Sequence, residues 1–171
     1  MLETQDLILR RGVFEDWKAM YENVWRHPET ARYMLWDVTT SEEEAMARME
    51  RTLRWQTEHY AWFVEEKHTG NCIGFAGFIE VDPGVYEDTG VALGPDYVGR
   101  GYGKQVLRAL LTVVFDRLDG QVFIGSARSE NAASIALQRS CGFVYTHSES
   151  RTDPRNGEHY TLNFYEKRRD T

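Results

Sequence analysis

Three glycines at alternate positions, Gly99, Gly101 and Gly103, frame Arg100 and Lys104 in "YVGRGYGKQVLRALL", Tyr97 to Leu111. The stretch stands directly before an amphipathic helical pattern, and its chemistry is that of an anion site. A helix start leaves about four backbone N–H groups unpaired and carries partial positive charge, so acidic residues normally gather there. Arg100 and Lys104 do the reverse, which is favourable when an anion lies between them. Glycines let the backbone approach that anion and turn its N–H groups inward. A phosphate or pyrophosphate fits such a junction. So does a tight strand-to-helix turn with solvated cations, and the stretch alone leaves both open. Two nucleotide patterns are excluded. The spacing G-x-x-x-x-G-K-[ST] fails because Gln105 follows the lysine, and G-x-G-x-x-G fails because the glycines alternate.

The elements around the junction are legible from periodicity. Leu7 to Leu9 read as a strand. "VFEDWKAMYENVWRH" predicts a helix with Phe14, Trp17, Tyr21 and Val24 on its inner face, closed by Pro28. "TTSEEEAMARMERTLRWQ" predicts a second helix, capped by Thr40 or Ser41, with three glutamates at its positive end. Met46, Met49, Leu53 and Gln56 form its inner face. Two strands joined through His68 to Asn71 follow, and "VYEDTGVALG" is a third, ended by Gly94-Pro95. Behind the glycines, Leu107, Leu110, Leu111, Val114 and Leu118 share one helical face. "QVFIGSA" reads as a strand, "NAASIALQRS" as a helix, "GFVYTHS" as a strand, "RTDPRNG" as a loop and "EHYTLNFYEKR" as the last strand. This order predicts an α/β fold, a mixed sheet covered by helices, in a single domain over residues 1–171.

Composition narrows the function classes. The chain has 171 residues, 42% hydrophobic and 27% charged, which suits a globular domain. A formal net charge of −7 argues against a general nucleic-acid binder and mildly favours a cationic partner such as an amine. No apolar run approaches the ~18 residues of a membrane span, and "MLETQDLILRR" has no signal-peptide pattern. Cys72 and Cys141 form no disulfide framework or metal spacing, and His27, His59, His68, His147 and His159 are scattered. The two cysteines and most aromatic residues read as core. A cytoplasmic protein without metal, membrane or nucleic-acid partner is expected.

Three stretches carry a resemblance. Val98-Gly99-Arg100-Gly101-Tyr102-Gly103 follows the pattern [QR]-x-x-G-x-[GA], with Val98 in place of Gln or Arg. "LETQDLILRR" with "GVALGPDYVGRGYG", and "NAASIALQRSCGF", stand before and after it in the matching order. Together they resemble the GNAT superfamily of acetyl-CoA-dependent N-acetyltransferases, and its RimJ/RimL-like branch in particular, over nearly the whole chain. The resemblance implies a mostly antiparallel central sheet flanked by helices, with acetyl-CoA as co-substrate. By the same resemblance, the backbone from Val98 through Gly99, Arg100, Gly101, Tyr102 and Gly103 to Lys104 holds the CoA pyrophosphate. Val91, Ala92 and Leu93 pair with the pantetheine arm as an added strand would, and Asn131 hydrogen-bonds it.

Acetyl transfer to an amine needs a base, donors for the oxyanion and a proton for the leaving thiolate. Glu87 and Asp88 are the candidate bases. Neighbours on a strand face opposite ways, so only one can aim at the cleft. The branch pattern favours Asp88, acting through a bridging water, and the offset in histone-modifying members favours Glu87. Gln138 stands where many members carry an acid Tyr, and Ser134, in the N-x-x-S motif, is the substitute acid that the RimJ/RimL-like resemblance implies. Trp36 is the tryptophan expected at the acceptor pocket. The expected acceptor is a peptide or protein N-terminal amine. A small amine (polyamine, amino acid or aminoglycoside) and a CoA-binding module without turnover are the alternatives. Oligomeric state stays open, a homodimer among the options.

Overall fold

The structure, a computed structural model, describes residues 1–170. Its strands are β1 (Leu2–Glu3), β2 (Leu7–Arg10), β3 (Tyr60–Glu66), β4 (Asn71–Asp82), β5 (Val85–Leu93), β6 (Val122–Arg128), β7 (Val144–Thr152) and β8 (His159–Arg168). They form one sheet in the order β1-β2-β3-β4-β5-β6-β8-β7. Every neighbouring pair is antiparallel except β5 with β6. The mixed sheet expected from the element order is therefore present, mostly antiparallel as the resemblance implies, with the two-residue β1 as an unforeseen addition.

Helices α1 (Trp17–Met20), α2 (Pro28–Ala31), α3 (Glu42–Glu58), α4 (Tyr102–Thr112) and α5 (Ala132–Ser140) cover the sheet. Successive side chains of β3 divide between two cores, as alternation requires. Trp62 and Val64 join Phe78, Tyr86, Phe123 and the inner face of α4. Phe63 joins Met20, Val24, Trp25, Ala45 and Met49 on the other face.

Between Phe14 and Trp25 the expected continuous helix is broken. Phe14 to Asp16 form a 3-10 turn, α1 makes one turn, and Tyr21 to Trp25 widen to i→i+5 bonding, with Arg26 N–H donating to Tyr21 O. The cause lies at its start. Asp16 accepts from Val13 N–H and from Arg10, which also holds Glu65 on β3, so the segment is drawn to the sheet before a helix can establish. Phe14 consequently lies exposed, and Met20, Val24 and Trp25 take the buried positions. Pro28 opens α2 at its first turn, where a missing N–H costs nothing.

In α3, Ser41 is the cap, accepting from Glu44 N–H. Its deepest positions are Ala45, Met49 and Gln56; Met46 and Leu53 are half-buried, so the inner stripe is shifted from the expected one. Helix α4 continues into an i→i+5 turn ending at Leu118. Its N-terminal turn is fixed from outside by Gln105, which accepts from Thr4 Oγ1 and Asp6 N–H and donates to Asp6 Oδ2. That triangle of bonds holds the glycine junction against the β1–β2 turn.

Candidate active site

The sheet forks at its centre. β5 and β6 pair only through Val85 to Glu87 with Val122 to Ile124, and beyond those residues they part. On the other side of β5 the register jumps from Asp88 opposite Phe78 to Gly90 opposite Gly77, leaving Thr89 as an extra residue. Such a bulge bends a strand and re-aims its side chains. Gly94 N–H donates to Ile73 O, which fixes the alternation along this register. Ala92 turns its backbone groups toward β4, while Val91 and Leu93 turn theirs to the open edge. A cleft of about 1020 Å³ occupies the fork, lined by β5 from Asp88 to Leu93 and by β6 from Gly125 to Arg128. Its walls include Leu107 and Phe143 from one side of the sheet and Trp25 and Phe75 from the other, so it passes between the two faces.

The glycine junction closes one end of this cleft. Gly99 and Gly101 have φ of +76° and +79°, a left-handed conformation that favours glycine. Gly101 is the N-cap of α4; no side chain caps that helix and no acidic residue lies in its first turn. Val98, Gly99, Gly101, Tyr102, Gly103 and Lys104 all line the cleft, and Lys104 has no ion pair among the described residues. Arg100 departs from the expectation. It lies outside the cleft wall, donating to Glu66 Oε1 at 3.3 Å and to Asp96 O at 3.0 Å. Glu66 is buried and also accepts from Tyr102 Oη at 2.8 Å, so its carboxylate needs a cation and draws Arg100 away. Of the two expected cations, only Lys104 faces the cleft.

Asp88 and Ser134 are brought together at the fork by a bonded chain. Asp88 Oδ2 accepts from Ser126 N–H at 2.9 Å, just beyond Glu87 and Ile124, the last paired residues of β5 and β6. Ser126 O accepts from Gln138 Nε2, which also reaches Ser134 Oγ, both at 3.3 Å. Burial raises the Asp88 carboxyl to about 7, with the Ser126 N–H opposing the rise. Asn131 caps α5, accepting from Ser134 N–H at 3.2 Å, and lines the cleft beside it. Glu87 points to the other face of the strand and is outside the cleft wall. Burial raises its carboxyl too, partly offset by Arg151.

Gln138 is the site residue that sequence reasoning undervalued. It is 5% exposed, its Oε1 has no hydrogen-bond partner, and it packs where a Cβ on Gly125 would lie 2.2 Å away. A glycine inside the strand "QVFIGSA" was the available signal, since such a residue marks a close approach. Gly125→Ala should displace the Gln138 amide and break its bonds to Ser126 and Ser134. The expected result is a loss of about one order of magnitude in kcat, near the worth of one hydrogen bond, with an unchanged circular dichroism spectrum.

Trp36 lines the cleft as expected, edge-on to Phe75 with ring centroids 6.5 Å apart. His147 and His159 do not line it. His147 stacks on Phe164, and His159 meets Thr152 Oγ1. Cys72 is buried, its thiol pushed up to about 12, and Cys141 is half-buried against the core around α4. No group of three or more potential metal ligands occurs among the described residues. No helix among them is long and apolar enough to cross a membrane.

An open strand edge leads to an uncapped, lysine-bearing helix start at one end of a split sheet, a geometry that matches an extended, phosphate-bearing ligand. The chain belongs to the GNAT acetyltransferase family: the profile of the acetyltransferase (GNAT) domain matches residues 6–144. It is similar to the N-alpha-acetyltransferase RimI of Mycobacterium tuberculosis, 35% identical over 100 residues. The match covers 57% of this chain and 59% of that protein's length. A GNAT-family acetyltransferase from Bacillus anthracis has the same fold, with a TM-score of 0.85 at 20% identity, covering 98% of this chain and 97% of that one. So has RimL, a ribosomal L7/L12 alpha-N-protein acetyltransferase solved with coenzyme A, with a TM-score of 0.80 at 23% identity over 96% of this chain and 95% of that one.

Proposed function

We propose that this chain transfers acetyl from acetyl-CoA directly to the α-amine of a peptide or protein N-terminus, within one domain spanning residues 1–171 and in the cytoplasm. The observation that carries the reading is the fork. One cleft joins the open β5 edge, the glycine junction and Asp88, and it opens to both faces of the sheet. The similarity to RimI and to RimL supports the N-terminal acceptor.

In this reading the backbone from Gly99 to Lys104, with the Lys104 ammonium, binds pyrophosphate. Val91 and Leu93 pair with the pantetheine amides, and Asn131 bonds the same arm. Asp88 takes the proton of the incoming ammonium, directly or through one water. The freed nitrogen attacks the thioester carbonyl, and a β5 N–H at the fork stabilises the oxyanion. The departing sulfur receives, relayed through the Ser134 hydroxyl, the second proton that the acetylated nitrogen sheds as it becomes an amide. Gln138 Nε2 donates to the Ser134 oxygen, so that the serine hydrogen can point to the sulfur. Glu87, on the far face, is the alternative base.

Proton affinity favours an α-amine. Its ammonium has a pKa of about 8, close to that of Asp88, whereas a lysine ε-ammonium at about 10.4 is the poorer proton donor by more than a hundredfold. The test is CoA thiol release over a panel of amines. Release should require an amine and be faster with N-terminal α-amines than with ε-amines or polyamines. Release that ignores the amine would exclude transfer, and preference for polyamines would exclude this acceptor.

A further inference from the structure

The acceptor half of the cleft carries hydrogen-bond donors that the protein leaves unmatched, and one arginine, Arg48, that has no ion pair among the described residues. Four buried side-chain nitrogen or oxygen atoms lack a partner among the described residues: Thr30 Oγ1, Trp36 Nε1, Arg128 Nη2 and Gln138 Oε1. All four residues line this one cleft. Gln138 belongs to the bonded chain at the fork. Trp36 and Arg128 are different, because an indole N–H and a guanidinium can only donate.

Their surroundings sharpen the point. Arg128 lies 4.0 Å over the Tyr160 ring and is ion-paired to buried Asp153 at 3.5 Å, beyond good hydrogen-bond length. Asp153 is already engaged by Arg155, at 2.7 Å and 3.0 Å, so Arg128 Nη2 is left without a hydrogen bond. Arg48 sits between two tryptophans, 4.7 Å from Trp25 and 4.3 Å from Trp36. It bonds only Thr39 Oγ1, at 3.2 Å, and no carboxylate lies within ion-pair distance among the described residues. Burial lowers its pKa to about 10, with neighbouring Arg51 adding to the fall and Glu44 opposing it. The only acidic residues in the cleft wall are Glu29 and Asp88, against four arginines and Lys104.

Proteins rarely bury donors and charge without partners unless a ligand completes them. Resting on the acetyl-transfer reading above, we infer that the acceptor carries a carboxylate close to its reacting amine, and that Arg48, Arg128 and the Trp36 indole N–H recognise it. Two sources present this chemistry: an Asp or Glu side chain within the first residues of a peptide, and the α-carboxylate of a free amino acid. The reacting amine lies toward Asp88, and the carboxylate lies toward the arginines. The overall charge of the chain hides this, because its excess of acid lies outside the cleft.

The test compares kcat/KM for short peptides that differ only in Glu, Gln or Lys at the second position, alongside free glutamate and its α-amide. The Glu peptide or the free amino acid should exceed its neutral counterpart by about tenfold, the worth of a charge-assisted hydrogen bond. A preference confined to peptides assigns the side-chain source, and one confined to free amino acids assigns the small acceptor. Arg48→Met, which keeps the packing against both tryptophans, should bring the acidic-to-neutral ratio close to one. Turnover that is equal for Glu and Gln peptides, or higher for Lys, and that also shows no preference for free glutamate over its α-amide, would overturn the carboxylate inference and leave acetyl transfer standing. No turnover with any amine would overturn both.

Discussion

Asp88→Asn should lower kcat by about two to four orders of magnitude, the range expected when a positioned proton acceptor is removed, while CoA binding persists. The substitution isolates charge from shape. Asparagine Oδ1 still accepts from Ser126 N–H, so the fork keeps its closure. Only the ability to take a proton is lost. The pH dependence supplies the second readout. With its carboxyl raised to about 7, Asp88 is protonated and inactive below that pH, so kcat/KM should climb through neutrality and level off above it. That acid limb should vanish in the variant. Stability moves the other way. A carboxyl with a folded pKa above its unfolded value binds a proton more tightly in the folded chain, so it withdraws stability as pH rises from the ordinary carboxylate range to about 7. Asp88→Asn removes that penalty, and at pH 8 its melting temperature should equal or exceed that of the parent. A variant that is both inactive and unstable would assign Asp88 to structure alone. An active variant would move the base to Glu87.

Gly101→Val should weaken CoA binding by about 100-fold. The reason is backbone conformation, not crowding by the protein. No atom lies within 4 Å of the position a Cβ would take at Gly101, but its φ of +79° is one that a β-branched residue strongly resists. Forcing the N-cap of α4 out of that conformation would turn the neighbouring N–H groups away from the pyrophosphate. Losing two charge-assisted bonds at roughly 1.5 kcal/mol each gives the stated factor. Gly101→Asn separates the causes, because asparagine tolerates left-handed geometry. It should bind CoA nearly as the parent does. Calorimetry showing both variants equally weak would point instead to a bulk limit against the ligand.

The glycine junction, the element order and the Asn131 cap were legible in the sequence because each depends on residues close together in the chain. The fork was not. It arises where parallel pairing stops after Glu87 and Ile124, a matter of register between strands separated by α4. The bond from Ser126 to Asp88 spans 38 residues and appears only once that register is set. Arg100 shows the same limit. Its sequence neighbours suggest a phosphate ligand, yet Glu66, 34 residues earlier, holds it elsewhere. The broken first helix is a related case, with apolar spacing that favours a helix and the Arg10–Asp16–Glu65 cluster overriding it. Arg48 between Trp25 and Trp36 had no local signature at all.

The most direct measurement is mass spectrometry of a peptide that offers both a free α-amine and an internal lysine, after incubation with acetyl-CoA. Acetyl is expected on the α-amine, with none on a peptide whose α-amine is blocked, and little with Asp88→Asn. Acetyl placed on the lysine in preference to the α-amine, or no acetyl on any peptide despite CoA binding, would contradict N-terminal transfer at the fork.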